Sequence, residues 1–348
     1  MSVQSIDIEQ KEFYEKELLR KAMPPSSLGQ LSQLSVRLAL IDPRPLNTLS
    51  LLLFAGDHGI VEEMVTHSPK EITYQQCVNF AQGGGACSLF AKTNGVELTV
   101  VDVGVDHLFK AFDHVLDKKI AFGTRNFAHT PAMTEEQALA AMEVGRSLVR
   151  EKHSQGFDAI AFGEMGVGNT TSSAALSAAL TGFPVSSVTG RGSGLSDEEL
   201  RHKCQVIEAA LQHFPQRDVM TVLCNFGGFE IGAIAGGILE ACSLHLPVLL
   251  DGFITTSAAL VSCALEPACK DYLIASHLSG TQGHDLLLSY LGINEPVLRL
   301  DMQLGEGTGA LVAWPIISLA SRILSQMTTF SEARVTDSTA ILQEIGLV

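Results

Sequence analysis

The sequence lacks clusters of basic residues. Its 348 residues include only 23 Lys and Arg against 38 Asp and Glu, which gives a formal charge of −15. This balance argues against nucleic acids and anionic membranes as partners. Hydrophobic residues make up 46% of the chain and charged residues 18%, which is typical of a well-packed globular enzyme and argues against disorder. We therefore expect a small molecule as the partner, with no nucleic acid and no membrane.

Metal-binding motifs are also missing. The seven cysteines form no CxxC pair and no other metal-ligand spacing, so we expect buried thiols in a reducing compartment. The acidic, polar segment 1–13 does not resemble a signal peptide. The longest apolar stretch, residues 231–250, contains Glu240 and His245 and is not expected to span a membrane. These features predict a cytoplasmic protein without a metal.

Five short apolar runs recur along the chain, each followed by a turn with Gly or Asp and then by a helix-like stretch. They lie at residues 49–59, 97–106, 158–171, 247–257 and 271–280. Such runs are typical of buried parallel strands. The alternation predicts an α/β fold: an open, mostly parallel, Rossmann-like sheet with helices on both faces.

Helical patterns occupy both ends of the chain. Amphipathic stretches cover residues 6–22 and 29–41, and an apolar helix is expected from Gly309 to about Met327. We expect a large α/β catalytic domain at residues 45–310. A small helical lobe would then form from both termini, residues 1–44 and 311–348.

The turns after the apolar runs concentrate polar residues, and ligands of open parallel sheets bind beyond the carboxyl ends of the strands. In GEMGVGNTT (163–171), three glycines allow close approach to a ligand, and Asn169 to Thr171 can cap the following helix. N–H groups at a helix start favour phosphate. The alternative is an ordinary, well-capped turn. The stretch matches neither the dinucleotide fingerprint nor the P-loop.

The residues of two other turns allow more than one function. Asp251, in LLDGFITTSAA (249–259), is either a phosphate or ribose contact or part of a buried turn. Asp57 and His58 could form a metal site with His277 or His284, but the spacing favours a hydrogen-bonded structural histidine.

Glu306 stands between two glycines in LGEGTGA (304–310), ahead of an apolar run. The carboxylate could cap a helix that begins near Thr308, since helix starts favour negative charge. It could also be a general base, because apolar neighbours raise the pKa of a carboxyl group toward neutrality. Residue chemistry alone does not separate these hypotheses.

Taken in order, the motifs resemble those of one family, the nicotinate-nucleotide–dimethylbenzimidazole phosphoribosyltransferases. The resemblance extends from about residue 24 to about residue 325. It rests on PPSSLG, GDHGI, SPKEIT, VDVGVD, GTRNFAHTPAMT, GEMGVGNTTSSAA, GRGSGLSDEEL, GGFEIGAIAGGIL, LPVLLDGFITTSAA, SHLSG and LGEGTGA.

The resemblance implies transfer of phosphoribose from nicotinate mononucleotide to 5,6-dimethylbenzimidazole, which gives α-ribazole 5′-phosphate and nicotinate for cobalamin biosynthesis. The substrate already carries a pyridinium leaving group, so neither a metal nor another cofactor is implied. Attack on the opposite face of the ribose inverts C1′, through an oxocarbenium-like state. The attacking base must also lose a ring proton, which requires a positioned carboxylate. A homodimer is implied as well.

The resemblance also implies roles for particular residues. Glu306 would be the general base, and Glu164 the second acid of the site. The aromatic base would bind at Ser68, Gln76, Met302 and Leu304. Phosphate and ribose would be held by Gly163, Gly166, Gly168, Asn169, Thr170, Thr171, Lys203, Asp251, Gly252, Ser279 and Gly305.

The chain departs from the family pattern at a few positions. Gln303 stands where Arg is common, Ser26 where Gly is usual, and GGGAC (83–87) replaces a more Ala-rich segment. Two other hypotheses remain open. One is a Mg-dependent phosphoribosyltransferase that uses phosphoribosyl pyrophosphate, and the other is a nucleotide-binding protein without turnover.

Overall fold

The computed structural model describes residues 3–337. The α-helices of this part of the chain are α1 (Lys11–Leu19), α2 (Gln30–Ile41), α3 (Glu71–Ala81), α4 (Ala86–Asn94), α5 (Glu135–Ser154), α6 (Asn169–Thr181), α7 (Val185–Val188), α8 (Asp197–His213), α9 (Val219–Phe226), α10 (Phe229–Ser243), α11 (Phe253–Leu265), α12 (His284–Tyr290), α13 (Thr308–Gln326) and α14 (Phe330–Ala333). Short 3-10 helices lie at Ile8–Gln10, Gly59–Glu63, Ala111–Asp113 and Pro267–Tyr272.

The strands are β1 (Leu49–Gly56), β2 (Glu97–Gly104), β3 (Leu116–Asp117), β4 (Ala159–Met165), β5 (Val248–Leu250), β6 (Leu273–Ala275), β7 (His277–Leu278) and β8 (Leu298–Arg299). A six-stranded sheet has the order β3-β2-β1-β4-β5-β6, and all its neighbouring pairs are parallel. Strands β7 and β8 form a separate parallel pair. All five apolar runs supply a strand of the main sheet, which confirms the predicted parallel α/β fold.

Helices cover both faces of this sheet. Successive residues of a strand point to opposite faces. A Cβ atom on Gly237 of α10 would lie 2.7 Å from the ring of Phe162, whereas one on the next strand residue, Gly163, would lie 2.8 Å from the backbone of Glu306. Helix α10 and the start of α13 therefore pack on opposite sides of β4, as predicted.

Helices α5 and α10 approach each other backbone to backbone. A Cβ atom on Gly145 would lie 1.8 Å from the carbonyl oxygen of Ala233, and one on Gly236 would lie 2.0 Å from that of Met142. Only glycine fits at these two positions. The close contact fixes α10 against the sheet, and α10 carries Glu230 in its first turn beneath the candidate site.

The terminal helices pack on one another. Helix α2 packs on α13, and the Lys21 ammonium group donates to the carbonyl oxygen of Met327 at 2.9 Å. Helix α13 also packs on β4 and β5, and it begins at Thr308, so the predicted boundary at residue 310 falls in its first turn. The two-domain division stays a prediction, and its residues 338–348 lie outside the described residues.

Within residues 3–337, α13 alone has the length and apolar composition of a membrane span, and more than half of its most apolar window is buried inside the protein. Core helices of globular proteins share these properties. No group of three or more His, Cys, Asp or Glu residues in the same part of the chain is arranged to hold a metal ion.

Candidate active site

A cavity of about 500 Å³ lies beyond the carboxyl ends of β4 and β5, where the sheet topology predicts a ligand site. The loop after β4 and the start of α6 form one wall, and the loop after β5 forms another. The cavity is completed by the segment before α13, the loop after β7, the 190–193 segment and residues near Ser68. The cavity has the size of a small-molecule site.

The structure brings most of the predicted site residues together. Those that line the cavity are Ser68, Glu164, Gly166, Gly168, Asn169, Thr170, Asp251, Gly252, Ser279, Leu304, Gly305 and Glu306. They come from separate loops, and the fold unites them because parallel strands end at the same edge of the sheet.

Five predicted residues do not line the cavity. Gly163 is buried inside β4, and the Thr171 side chain is enclosed in α6. The Gln76 side chain accepts a hydrogen bond from Asn79 on α3. The carbonyl oxygen of Met302 accepts a hydrogen bond from Ser279 Oγ at 2.9 Å. This bond orients the loop that contains Ser279.

The fifth, Lys203, lies directly behind the cavity wall. Its ammonium group donates to Thr170 Oγ1 at 3.0 Å and to the carbonyl oxygen of Gly190 at 3.2 Å. Only 1% of the residue is exposed, and burial lowers its pKa to about 8. It forms no ion pair with an Asp or Glu of the described chain, so it offers an unneutralised charge to an anion at Thr170.

Glu306 lies in an unusual backbone segment. Gly305, Glu306 and Gly307 have φ values of 81°, 62° and 76°, three consecutive left-handed residues, and such a conformation is costly for a residue with a side chain. Glu306 is buried (7% exposed), and its Oε2 has no hydrogen-bond partner. Burial raises the pKa of Glu306, hydrogen bonding from Cys87 opposes the rise, and the charge of Asp251 adds to it.

The carboxylate that caps α13 is Asp251, not Glu306. Asp251 Oδ2 accepts from the N–H of Gly307 at 3.2 Å, and Oδ1 accepts from Gly309 at 2.6 Å and Ala310 at 3.4 Å. The N-cap residue of α13 is Gly307. The hypothesis that Glu306 caps this helix is therefore wrong, and its Oε2, which has no hydrogen-bond partner, is left available to a ligand.

Glu164 is the second buried acid of the cavity. Asn169 donates a short hydrogen bond to Glu164 Oε2, and a Cβ atom on Gly305 would lie 2.3 Å from Oε1. Burial, followed by the charges of Asp251 and Glu230, raises the pKa of Glu164 to about 8. At neutral pH this group is mostly protonated and can donate a hydrogen bond, which an ionised carboxylate cannot do.

His58 is a hydrogen-bonded histidine beneath the glycine loop. Its Nε2 lies 2.6 Å from Glu230 Oε1, and its Nδ1 lies 2.8 Å from Ser172 Oγ. Both members of the His58–Glu230 pair are fully buried. A Cβ atom on Gly166 would lie 3.3 Å from this imidazole, so the pair supports the loop from below.

Some cavity residues were not among the predicted catalytic and binding residues. The glycine-rich segment GRGS (190–193) lines the cavity and also accepts from Lys203 through Gly190. His277 lines it as well, with a buried Nδ1 that has no partner. Gln303, one of the departures from the family pattern, is a third. The run of glycines in GRGSG was a usable signal for the first of these.

Sequence similarity assigns the chain to a class of enzymes, the phosphoribosyltransferases. The sequence model of a family described as "Phosphoribosyltransferase" matches residues 3–335. A nicotinate-nucleotide–dimethylbenzimidazole phosphoribosyltransferase from Geobacter sp. (strain M21) is 44% identical over 321 residues, which are 91% of this chain and 92% of the relative. The enzyme of the same name from Geotalea uraniireducens (strain Rf4) is 43% identical over 340 residues, which are 96% of each chain.

A solved structure agrees with these relatives. The crystal structure of CobT from Thermus thermophilus is 40% identical, covers 94% of this chain and 99% of its own, and superimposes with a TM-score of 0.91. The chain belongs to the nicotinate-nucleotide–dimethylbenzimidazole phosphoribosyltransferase family, as the sequence motifs predicted.

Proposed function

We propose that the protein transfers the phosphoribosyl group of nicotinate mononucleotide to 5,6-dimethylbenzimidazole, or to a related aromatic base, and releases nicotinate. One observation carries the proposal. A single cavity presents two buried acids, Glu164 and Glu306, and is backed by an unneutralised cation, Lys203. That is the arrangement needed for a phosphorylated sugar whose C1′ reacts with a base that must lose a proton.

The phosphate end would lie at Thr170 and the 190–193 segment. Lys203 donates to Thr170 Oγ1, and the N-terminus of α6 begins at Asn169 on the same wall. A helix N-terminus and a nearby ammonium group both favour an anion. The Gly166 and Gly168 backbone leaves room for the ribose beside Glu164.

The base end would lie between Ser68 and Leu304, next to Glu306. Leu304 is 56% exposed, which is a large apolar surface for a cavity edge and suits a flat aromatic ring. The Ser68 hydroxyl, which donates to Ser193 Oγ at 3.2 Å, provides a polar group at the same wall.

The reaction balances without another reactant. The unprotonated ring nitrogen of the base forms a bond to C1′ while the C1′–N bond of nicotinate breaks. That electron pair returns to the pyridinium nitrogen, and nicotinate leaves with a neutral ring nitrogen. As the bond to C1′ forms, the other ring nitrogen of the base gives up its N–H proton to Glu306, so the base is uncharged in the product. Because the base attacks the face opposite nicotinate, C1′ inverts from β to α. Protonated Glu164 would donate a hydrogen bond to a ribose hydroxyl.

The proposal includes a homodimer in the cytoplasm. The family resemblance supports the dimer, and the seven cysteines, none of them in a disulfide, support a reducing compartment such as the cytoplasm. Light scattering of the purified protein at micromolar concentration tests the dimer, and a mass of 37.2 kDa per particle would contradict it.

The purified protein, nicotinate mononucleotide and 5,6-dimethylbenzimidazole should be incubated with excess EDTA. We expect nicotinate and α-ribazole 5′-phosphate in equal amounts, separated by liquid chromatography and identified by mass, with the α configuration assigned by NMR. A parallel reaction replaces the mononucleotide with phosphoribosyl pyrophosphate and Mg²⁺.

Product only in the second reaction would favour the Mg-dependent transferase and contradict the proposal. Binding of the mononucleotide without nicotinate release, over a panel of aromatic bases, would identify a binding protein instead. The two mixtures therefore separate the Mg-dependent transferase from the proposed activity, and the binding measurement with the panel of bases separates the binding protein.

A further inference from the structure

We propose that Asp251 is a positioning residue: by capping α13 it holds Glu306 in its left-handed conformation, and it does not bind phosphate or ribose. The inference rests on the proposed function, because it assigns to Asp251 a role that acts through the general base.

The first observation is the use of the Asp251 carboxylate. Both of its oxygens accept backbone N–H groups from the segment that begins directly after Glu306, at Gly307, Gly309 and Ala310. Only 2% of Asp251 is exposed. A carboxylate with three N–H donors at a helix N-terminus has little acceptor capacity left for a sugar hydroxyl. It would also repel a phosphate.

The second observation is the strain that the cap opposes. Glu306 has φ +62° between two left-handed glycines. A left-handed conformation at a residue with a Cβ atom costs roughly 1–2 kcal/mol, and surrounding contacts must maintain it. The bonds from Asp251 fix the residue after Glu306. Thr308 fixes the residue before it, because Thr308 Oγ1 donates to the carbonyl oxygen of Gly305 at 2.7 Å.

The third observation is the position of Asp251 in the fold. It follows β5 directly, in the middle of the site, and is therefore anchored by the sheet. Its Oδ1 also lies 3.9 Å from His277 Nε2. A rigid strand end thus sets the position of the flexible Gly-Glu-Gly segment.

The test is a double-mutant cycle of Asp251→Asn and Glu306→Gln, with kcat and the mononucleotide KM measured for each variant. Since the amide offers only one oxygen as acceptor, Asp251→Asn weakens the cap. We expect kcat to fall about 100-fold, the scale for displacement of a catalytic group by about 1 Å. The mononucleotide KM should stay within about threefold. In the Glu306→Gln background, Asp251→Asn should change kcat less than about threefold.

The outcomes are distinct. A rise of about tenfold or more in the mononucleotide KM with unchanged kcat would show a substrate contact and overturn the inference. So would equal losses of kcat from Asp251→Asn in both backgrounds. If Glu306→Gln alone leaves kcat unchanged, Glu306 is not the general base and the inference fails with it, whereas failure of the proposed function would appear as no nicotinate release from the wild-type protein.

Asp102→Asn is the matched control. Asp102 is equally buried, belongs to the end of a strand of the same sheet and accepts from the N–H groups of Gly104 and Val105, but it lies outside the cavity. We expect the folded fraction of the Asp102→Asn variant to have the same kcat as the wild-type protein. If Asp251→Asn does not fold, Asp251→Glu keeps both acceptor oxygens but moves them by one methylene relative to the N–H groups of Gly307 and Gly309, and an unchanged kcat in that variant would overturn the inference.

Discussion

Lys203 Nζ lies 3.0 Å from Thr170 Oγ1, and this bond links a buried cation of α8 to the first turn of α6. Burying an ammonium group without a carboxylate partner is unfavourable, and the depressed pKa of Lys203 reflects that cost. A bound anion would supply the missing opposite charge. The relationship therefore supports the proposal that phosphate binds at this end of the cavity, on grounds independent of the acids at the other end.

Replacement of Lys203 by Met should weaken binding of the mononucleotide. Loss of a hydrogen-bonded charge contributes roughly 1.5–3 kcal/mol, so we expect KM to rise about 10–100-fold with kcat changed much less. Steady-state kinetics with varied mononucleotide checks this. Lys152→Met is the control, since Lys152 is also buried but pairs with Glu97 away from the cavity. Equal effects of both variants would contradict a phosphate role.

Replacement of Glu164 by Gln should stabilise the protein at alkaline pH. The folded state holds a proton on Glu164 up to a pKa of about 8, whereas the unfolded chain releases it near 4.5. The folded state therefore binds more protons between these values, and this residue's contribution to stability falls as pH rises through that window. We expect the free energy of unfolding at pH 8.5 to rise by about 1 kcal/mol or more.

Denaturant unfolding of the ligand-free protein at about pH 5 and about pH 8.5 measures this effect. At the lower pH the two proteins should be nearly equal, because the acid is protonated in the folded state. A wild-type stability that depends on pH no more steeply than that of Glu164→Gln would contradict the raised pKa. The kcat of the wild type should also decline above about pH 8, as Glu164 ionises, and the variant should lose this decline.

Replacement of Gly163 by Ala should lower kcat although Gly163 does not line the cavity. The added Cβ atom would lie 2.8 Å from the carbonyl group of Glu306 and would displace it. We expect kcat to fall about 10–100-fold. Gly237→Ala is the matched control, because it crowds Phe162 on the opposite face of the same strand. We expect Gly237→Ala to lose roughly 1–3 kcal/mol of stability, as Gly163→Ala does, but to keep its kcat unchanged.

The sheet was readable from the sequence because its strands are buried on both faces. All eight residues of β1 are buried, and such strands appear as continuous apolar runs bounded by turns. The two-residue strands β3, β7 and β8 leave no such run, and they were not predicted. The helix starts at Thr134 and Ser196 carry a local sequence signal, since each capping box spans only four residues, from the N-cap to N3.

The site was readable only in part. Glu306 was singled out by its neighbours, yet the choice between cap and base needed Asp251, which lies 56 residues from Gly307 in the chain. Lys203 is 33 residues from Thr170, so only the family resemblance pointed to it. Contacts across such separations depend on how the strands and helices are arranged, and no local spacing rule contains them.

The central claim is that Glu306 removes the ring proton of the attacking base. The most direct measurement is the ratio of wild-type to Glu306→Gln kcat for two nucleophiles, 5,6-dimethylbenzimidazole and an azole whose N–H already ionises near neutral pH. We predict a ratio of about 100 or more for the first, in the range of general-base catalysis, and under about 10 for the second, which needs no base. Equal ratios for both nucleophiles, or a ratio near one for the first, would contradict the claim.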